Sequence, residues 1–331
     1  MSSRWTQVVG AGPSDAADVD VATLGEALAV LSPASTGALR DVDVFEKDMA
    51  GSELNVALAV QRLGHRARWS GWLGDDELGH QVIATLRRDG VDTTAAEVRP
   101  GQRTGLYLKE LRAADQLRVH YYRDHSAATR LTAADLDLGV VAGGSIVHLS
   151  GITAMIGPHG AGVVEAVASA ARARGSLVTF DANIRAALLG GRDPRQLLAP
   201  LLAIAHVVVL SEHEADLLLG GSTEEHLAKG LADLGCELLV VHTRGGAVAA
   251  TPDGPTRAAG MTVPAVDAVG AGDAFMAGLL SGLLRGWSLA DVLALANASG
   301  ACAVSVRGDA RSMPYERDVL ALLGRTNHTD R

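Results

Sequence analysis

The sequence predicts an α/β fold: a doubly wound, mainly parallel sheet flanked by helices, with a small β-sheet attached. Three observations predict it. Short, mostly apolar runs (177–181, 207–211 and 238–243) are separated by longer stretches with helical periodicity. Strands buried on both faces read in this way. Two runs of another style, 104–111 and 116–123, alternate with period two. A turn of small residues, Asp267-Ala268-Val269-Gly270-Ala271-Gly272-Asp273, opens a long apolar helix.

Residues 21–30 read as a first buried strand interrupted by Gly25-Glu26, followed by a polar stretch with Pro33 and alternation over 42–47. A helix opens within 50–55, continues through Leu63 and stops at Gly64. A strand over 67–73 and a helix over 76–89 follow, the helix ending at Gly90. The runs 104–111 and 116–123 read as a hairpin turning at 112–115. They carry the one dense tyrosine group of the chain, Tyr107, Tyr121 and Tyr122. Because they interrupt the strand–helix order, they are assigned with the 42–47 strand to a small β insertion, in segments of about 32–50 and 101–126. The alternation then resumes with a strand at 146–150, a helix at 160–174, and the apolar runs with helices at 212–219 and 223–234 between them. Runs 247–250 and 256–259 flank the turn Pro252-Asp253-Gly254 as a second hairpin, and 272–285 and 289–306 are Ala/Leu-rich helices. One domain over 21–324 is expected, with polar tails at 1–20 and 325–331.

The 331 residues are 48% apolar and 20% charged, which suits a soluble globular protein with a large core. A formal charge of −9 argues against a nucleic-acid partner. Two cysteines in apolar surroundings, Cys236 and Cys302, read as reduced core residues and point to the cytoplasm. No apolar run approaches about 20 residues, so no membrane span is expected.

The chemistry gathers where strands end. The first N–H groups of a helix lack internal partners, and the macrodipole makes that end positive. Gly270 and Gly272 clear the approach, so Gly270 to Asp273 form an anion cradle with the Asp273 carboxylate at its edge. Phosphoryl transfer to a hydroxyl uses such a cradle for the phosphate and such a carboxylate for the proton. The alternative is an ordinary helix start with a favourable first-turn Asp. Neither a Walker A loop nor a dinucleotide fingerprint is present. Three apolar runs end in polar clusters: Asp181-Ala182-Asn183-Ile184-Arg185, Ser211-Glu212-His213-Glu214 and His242-Thr243-Arg244-Gly245-Gly246. Arg185 suits a phosphate or carboxylate across a crevice, or else a surface ion pair. Glu214 suits magnesium-bound water, or the capping of its helix by the spacing Ser211-x-x-Glu214. His148 is expected to be a core histidine.

These motifs together resemble the ribokinase-like (PfkB-type) carbohydrate kinases. The turn is similar to that family's carboxyl-terminal signature Asp-Thr-x-Gly-Ala-Gly-Asp, with Ala268 in place of Thr. Gly51, Asn55, Ala57, Gly64 and Gly74 fall at the spacing of its amino-terminal signature, and residues 71–79, Gly-Trp-Leu-Gly-Asp-Asp-Glu-Leu-Gly, match its Gly-x-x-Gly-Asp-Asp-x-x-Gly segment. Within the family, residues 104–110, 121–123, 149–153, 181–185 and 306–309 look most like the 2-keto-3-deoxygluconate kinases.

The resemblance implies ATP-dependent phosphorylation of the primary hydroxyl of a small sugar acid. Asp273 would be the base. The backbone of Gly270, Ala271 and Gly272 would hold the transferring phosphoryl, and Arg185 would add positive charge. Gly51, Asn55, Tyr107, Tyr121, Arg123, Arg185, Asp273 and Asp309 would line the sugar site. A cation beside two tyrosines suits a sugar acid, although the tyrosines also suit plain sheet packing. Asn183, Ser211, Glu214, Thr243, Arg244, Gly245, Gly270 and Gly272 would serve the nucleotide, through a 243–246 loop shorter than the family's usual one. Mg2+ would be held by Glu214 through water, with room for a monovalent cation, K+, beside Asp267. The β insertion would act as a lid and pair two subunits as a homodimer. A kinase for a neutral, fructose-like sugar or a nucleoside stays open, as does a non-catalytic sugar sensor.

Overall fold

The computed structural model describes residues 19–112 and 117–325. The expected tails lie almost entirely outside these residues, as does most of the expected hairpin turn at 112–115. In chain order the strands are β1 (Val19–Leu24), β2 (Leu28–Pro33), β3 (Phe45–Ala50), β4 (Ala67–Gly74), β5 (Ala96–Arg99), β6 (Gly105–Leu111) and β7 (Leu117–Tyr122). They continue as β8 (Gly144–Ser150), β9 (Leu177–Asp181), β10 (Val207–Ser211), β11 (Leu238–Thr243), β12 (Gly246–Thr251) and β13 (Gly254–Ala259). The longer helices are α1 (Ser52–Arg62), α2 (Glu77–Arg88), α3 (Gly160–Ala173), α4 (Pro194–Ile204), α5 (Glu212–Leu219), α6 (Glu224–Leu234), α7 (Ala271–Leu284) and α8 (Leu289–Val304).

Nine strands form one sheet in the order β13-β12-β11-β10-β9-β8-β1-β4-β5. Its pairings are parallel from β5 to β11 and antiparallel at the β11–β12–β13 edge. Successive residues of a strand face opposite sides of the sheet, and here each side meets apolar helices. Val21, Val207 and Val209 join a core with α1, α2, α7 and α8. Their neighbours Ala22, Val208 and Leu210 join a second core with α3, α4, α5 and α6. That double burial explains the unbroken apolar runs. The winding direction reverses between β1 and β8, and ligands of such sheets bind at that switch point beyond the carboxyl ends of the strands. None of the described helices is long and apolar enough to cross a membrane.

A second sheet, β3-β2-β6-β7, stands beside this point. β2 pairs antiparallel with β3 and parallel with β6, and β6 pairs antiparallel with β7. The first expected strand, 21–30, is therefore two: β1 belongs to the large sheet and β2 to the small one. The break lies at Gly25, where a Cβ would come within 2.2 Å of the Glu53 carboxylate. The interruption falls at the expected Gly25-Glu26; the apolar runs on both sides of it disguised only that they enter different sheets. β3 sits three residues later than the 42–47 alternation suggested, in register with β2 up to Leu28 against Ala50. β5 and α4 carry no assignment from the sequence. α4 starts at Pro194 with Asp193 accepting the Arg195 N–H at 2.9 Å, but it contains Pro200, which reads as a breaker.

Candidate active site

The ends of β1, β9, β10 and β11, the start of α7 and one face of the small sheet enclose a cleft of about 1270 Å3. A single drug-sized ligand takes roughly 300–1,000 Å3, so this one has room for two ligands end to end. Every candidate site residue named from the sequence lines it except Ala271, the first residue of α7, Thr243, the last of β11, and Gly245 in the turn after it.

The turn before α7 is built by its glycines. Gly270 caps the helix with φ 80°, a left-handed conformation, and a Cβ there would come within 2.8 Å of Met313. A Cβ on Gly272 would meet nothing within 4 Å, so that backbone is open to a ligand. Asp273, in the first turn of α7, accepts hydrogen bonds from Ser52 Oγ and Asn55 Nδ2, both at 2.8 Å. Ser52 Oγ in turn accepts from Asn183 Nδ2 at 2.8 Å, and Asn55 Nδ2 also donates to Asp309 Oδ1 at 2.8 Å. The Tyr107 hydroxyl donates to the other oxygen of Asp309. One chain of bonds thus joins the starts of α1 and α7, the end of β9 and the small sheet. Gly51 starts α1 with its backbone against Glu26, where a Cβ would lie 2.2 Å from the Glu26 carbonyl oxygen.

Burial pushes the Asp273 carboxyl up to about 7; the Asn55 hydrogen bond opposes this, and nearby Asp309 adds to it. Burial also raises Asp309 and, with Glu214 and Asp273 close by, raises Asp181 well above the usual carboxylate range. Four carboxylates of Asp181, Glu214, Asp273 and Asp309 in one cleft are the arrangement that proton-transfer and cation-binding sites use. Asn55 separates two of them. Asn55→Ala leaves Asp273 and Asp309 without their shared donor and is expected to cost about 1–3 kcal/mol of stability, read by urea unfolding.

At the small-sheet end, Tyr107 and Tyr121 are cross-strand partners with ring centroids 5.5 Å apart. The Arg123 guanidinium lies 4.5 Å over the Tyr121 ring and forms a buried ion pair with Glu26, Nη2 to Oε2 at 2.7 Å. Burial raises Glu26 to about 7 even with Arg123 beside it. Arg123 is therefore a cation with a resident counter-charge. Glu26 Oε1 and Arg123 Nε are buried without a partner among the described residues.

At the other end, Glu214 completes the capping box of α5. Its Oε2 accepts the Ser211 N–H at 2.7 Å and the Ser211 hydroxyl at 2.8 Å. Its Oε1 accepts the Ile184 N–H at 2.6 Å. Three of about four acceptor positions of the carboxylate are thus filled, leaving about one open on a residue that lines the cleft. Asn183 holds φ 35°, the left-handed region, between Asp181 and the exposed Arg185. The 243–246 loop is a tight turn between β11 and β12, with Thr243 Oγ1 accepting the Gly245 N–H at 3.0 Å. Asp267, at the head of the anion turn, meets Lys109 Nζ at 2.9 Å. His148 is a core residue, bonded to Thr179 Oγ1 at 3.1 Å and lowered by burial to about 3.

The model of the pfkB family of carbohydrate kinases matches residues 19–316. The chain belongs to that family. It is thus a phosphotransferase that uses ATP and an alcohol acceptor. The chain is 31% identical over 316 residues to a 2-dehydro-3-deoxygluconokinase of Bacillus subtilis, covering 94% of this chain and 98% of that one. It is 33% identical over 325 residues to Fructokinase-1 of rice, covering 92% and 97%. A solved structure of a candidate Ribokinase II from E. coli, in complex with ATP and Mg2+, superposes with a TM-score of 0.84 at 25% identity, covering 93% and 99%.

In this pfkB kinase four further cleft residues, Glu26, Ser52, Lys109 and Asp181, went unremarked as site residues in the sequence. Ser52 follows Gly51 directly, and Asp181 ends an apolar run, so both had a local signal. Glu26 and Lys109 find their partners 97 and 158 positions away, Arg123 and Asp267, and nothing local announces either pair.

Proposed function

We propose that the protein phosphorylates the primary hydroxyl of a small sugar acid, 2-keto-3-deoxygluconate to its 6-phosphate, with ATP and Mg2+. The observation that carries this reading is the half-buried Asp273 carboxylate at the open end of α7, facing the same cleft as Arg123, Arg185 and the paired tyrosines. The sugar hydroxyl oxygen forms a bond to the γ-phosphorus, the bond from that phosphorus to the bridging oxygen of ADP breaks, and the hydroxyl proton passes to Asp273. Ser52 and Asn55 aim the carboxylate, whose affinity for a proton near neutral pH suits a general base. The backbone N–H groups of Gly270 to Asp273 receive the charge that develops on the phosphoryl oxygens, and Arg185 adds a cation from the rim. Glu214, with Asp181 beside it, would hold Mg2+ through water, and the ion would neutralise charge on the phosphates.

On this reading Gly51, Asn55, Tyr107, Tyr121, Arg123 and Asp309 surround the sugar acid. Asn183, Ser211, Thr243, Arg244 and Gly245 border the nucleotide. The small sheet closes over the cleft and excludes water. Outside the cleft lining it carries exposed Val44 and Tyr122, at or beside its strands, which suits a homodimer through this sheet. The cytoplasm is the compartment that fits.

A second reading, a neutral fructose-like sugar, draws on the Glu26–Arg123 pair, which leaves less net positive charge for a substrate carboxylate. An ADP-release screen decides between them. The sugar acid is expected to give the highest kcat/KM among sugar acids, fructose and nucleosides. A higher value for fructose selects the second reading, and no ADP with any acceptor sinks both.

A further inference from the structure

The family resemblance leaves room for a monovalent cation beside Asp267, but the side chains there suit a different arrangement. Lys109 and Asp267 are both withdrawn from solvent, their side chains only 4% and 13% exposed, with Nζ 2.9 Å from Oδ2. The other oxygen, Oδ1, accepts the Val269 N–H at 3.1 Å, and the Gly308 N–H approaches Oδ2 at 3.5 Å. Both oxygens therefore have donors, and the carboxylate charge already has its counter-ion. A K+ ion bound to Oδ2 would share that oxygen with an ammonium where water screens poorly, and like charges repel strongly there.

The position of Lys109 is fixed by the fold. It lies two residues after Tyr107 on β6, and residues spaced by two share a face of a strand. From that face Tyr107 reaches Asp309 and Lys109 reaches Asp267. The small sheet thus holds the anion turn at its head, through Asp267, and beside Gly270, through Asp309. The Lys109 charge also favours the ionised form of Asp309.

We propose that the Lys109 ammonium is the built-in counter-cation of the anion-binding turn, so that phosphoryl transfer by this chain needs no K+. The inference rests on the kinase reading of that turn. Lys109 acts on the reaction through Asp267 and is a positioning residue.

The test compares ADP release and thermal melting of the purified protein in tetramethylammonium, sodium and potassium chlorides at equal ionic strength. For the wild type, both readouts are expected to be the same in all three salts. A K+-specific rise in either turnover or melting temperature overturns the proposal. Lys109→Ala is expected to lose about tenfold or more in kcat in tetramethylammonium, to melt lower there, and to regain part of both losses in K+. A variant that loses nothing, or that K+ does not restore above tetramethylammonium, also overturns it. Should Lys109→Ala fail to fold, the wild-type salt series decides alone, with Lys109→Arg expected to stay indifferent to K+. If no acceptor yields ADP in any salt, the kinase reading has failed, while the melting curves still decide the role of Lys109.

Discussion

Replacing Asp273 by Asn is expected to lower kcat by about 10²–10⁴-fold, the usual contribution of a positioned general base, with the fold and ligand binding retained. The substitution fits the site without new strain. Ser52 Oγ can turn to accept a hydrogen bond from the new amide, while Asn55 Nδ2 still donates to its oxygen. The loss is thus one of proton transfer. Burial makes the charged form of Asp273 costly, so removing the charge is expected to leave the melting temperature equal or higher. The pH profile gives an independent readout. With the carboxyl pushed up to about 7, wild-type kcat is expected to rise as pH increases through that value and the base loses its proton. The midpoint belongs to the cluster of Asp181, Asp273 and Asp309 and not to one group. In Asp273→Asn the rise should vanish. Turnover near the wild-type value in that variant would remove Asp273 from the role of base.

The parts of this site that the sequence made legible are those with local causes. The glycines of the 267–273 turn announce a helix start because only glycine takes φ 80° there without strain. The spacing of Ser211 and Glu214 announces a capping box for the same kind of reason, and both of its halves are formed. Apolar runs ending in polar clusters announced the sheet edge, since a strand buried on both faces can change composition only where it leaves the core. The pairs Glu26–Arg123 and Lys109–Asp267 had no such signal, because each joins the small sheet to a turn of the large one. The same holds for Arg123 itself. The sequence offered a cation beside tyrosines, but its ionic partner depends on how β2 and β6 pair. The break at Gly25-Glu26 was legible, but the change of sheet across it was hidden because both sides are apolar, each facing its own core.

Arg123→Ala is expected to separate the two substrate readings. For a sugar acid the variant loses the cation that meets the carboxylate, and truncating one partner of a buried charge pair costs about 2–5 kcal/mol of binding. By the same scale kcat/KM falls roughly 30-fold to several-thousand-fold. Fructose has no carboxylate to lose, so its kcat/KM should fall far less. Glu26 decides how the protein itself tolerates the change. Left alone it would be a buried charge, but its carboxyl already stands at about 7 with Arg123 present, so without the cation it takes up a proton near neutral pH. A carboxyl raised in the folded state contributes stability that is present below its unfolded value and lost as pH rises through its folded value. The variant should therefore melt close to the wild type at pH 6 and progressively lower above pH 7. Glu26→Gln reverses the logic: it frees Arg123 of its counter-charge and should sustain or raise kcat/KM for the sugar acid. Combined with Arg123→Ala in a double-mutant cycle, it measures the pair directly. Equal losses for sugar acid and fructose in Arg123→Ala would mean that Arg123 only supports Tyr121 and the small sheet, and the neutral-sugar reading would then stand.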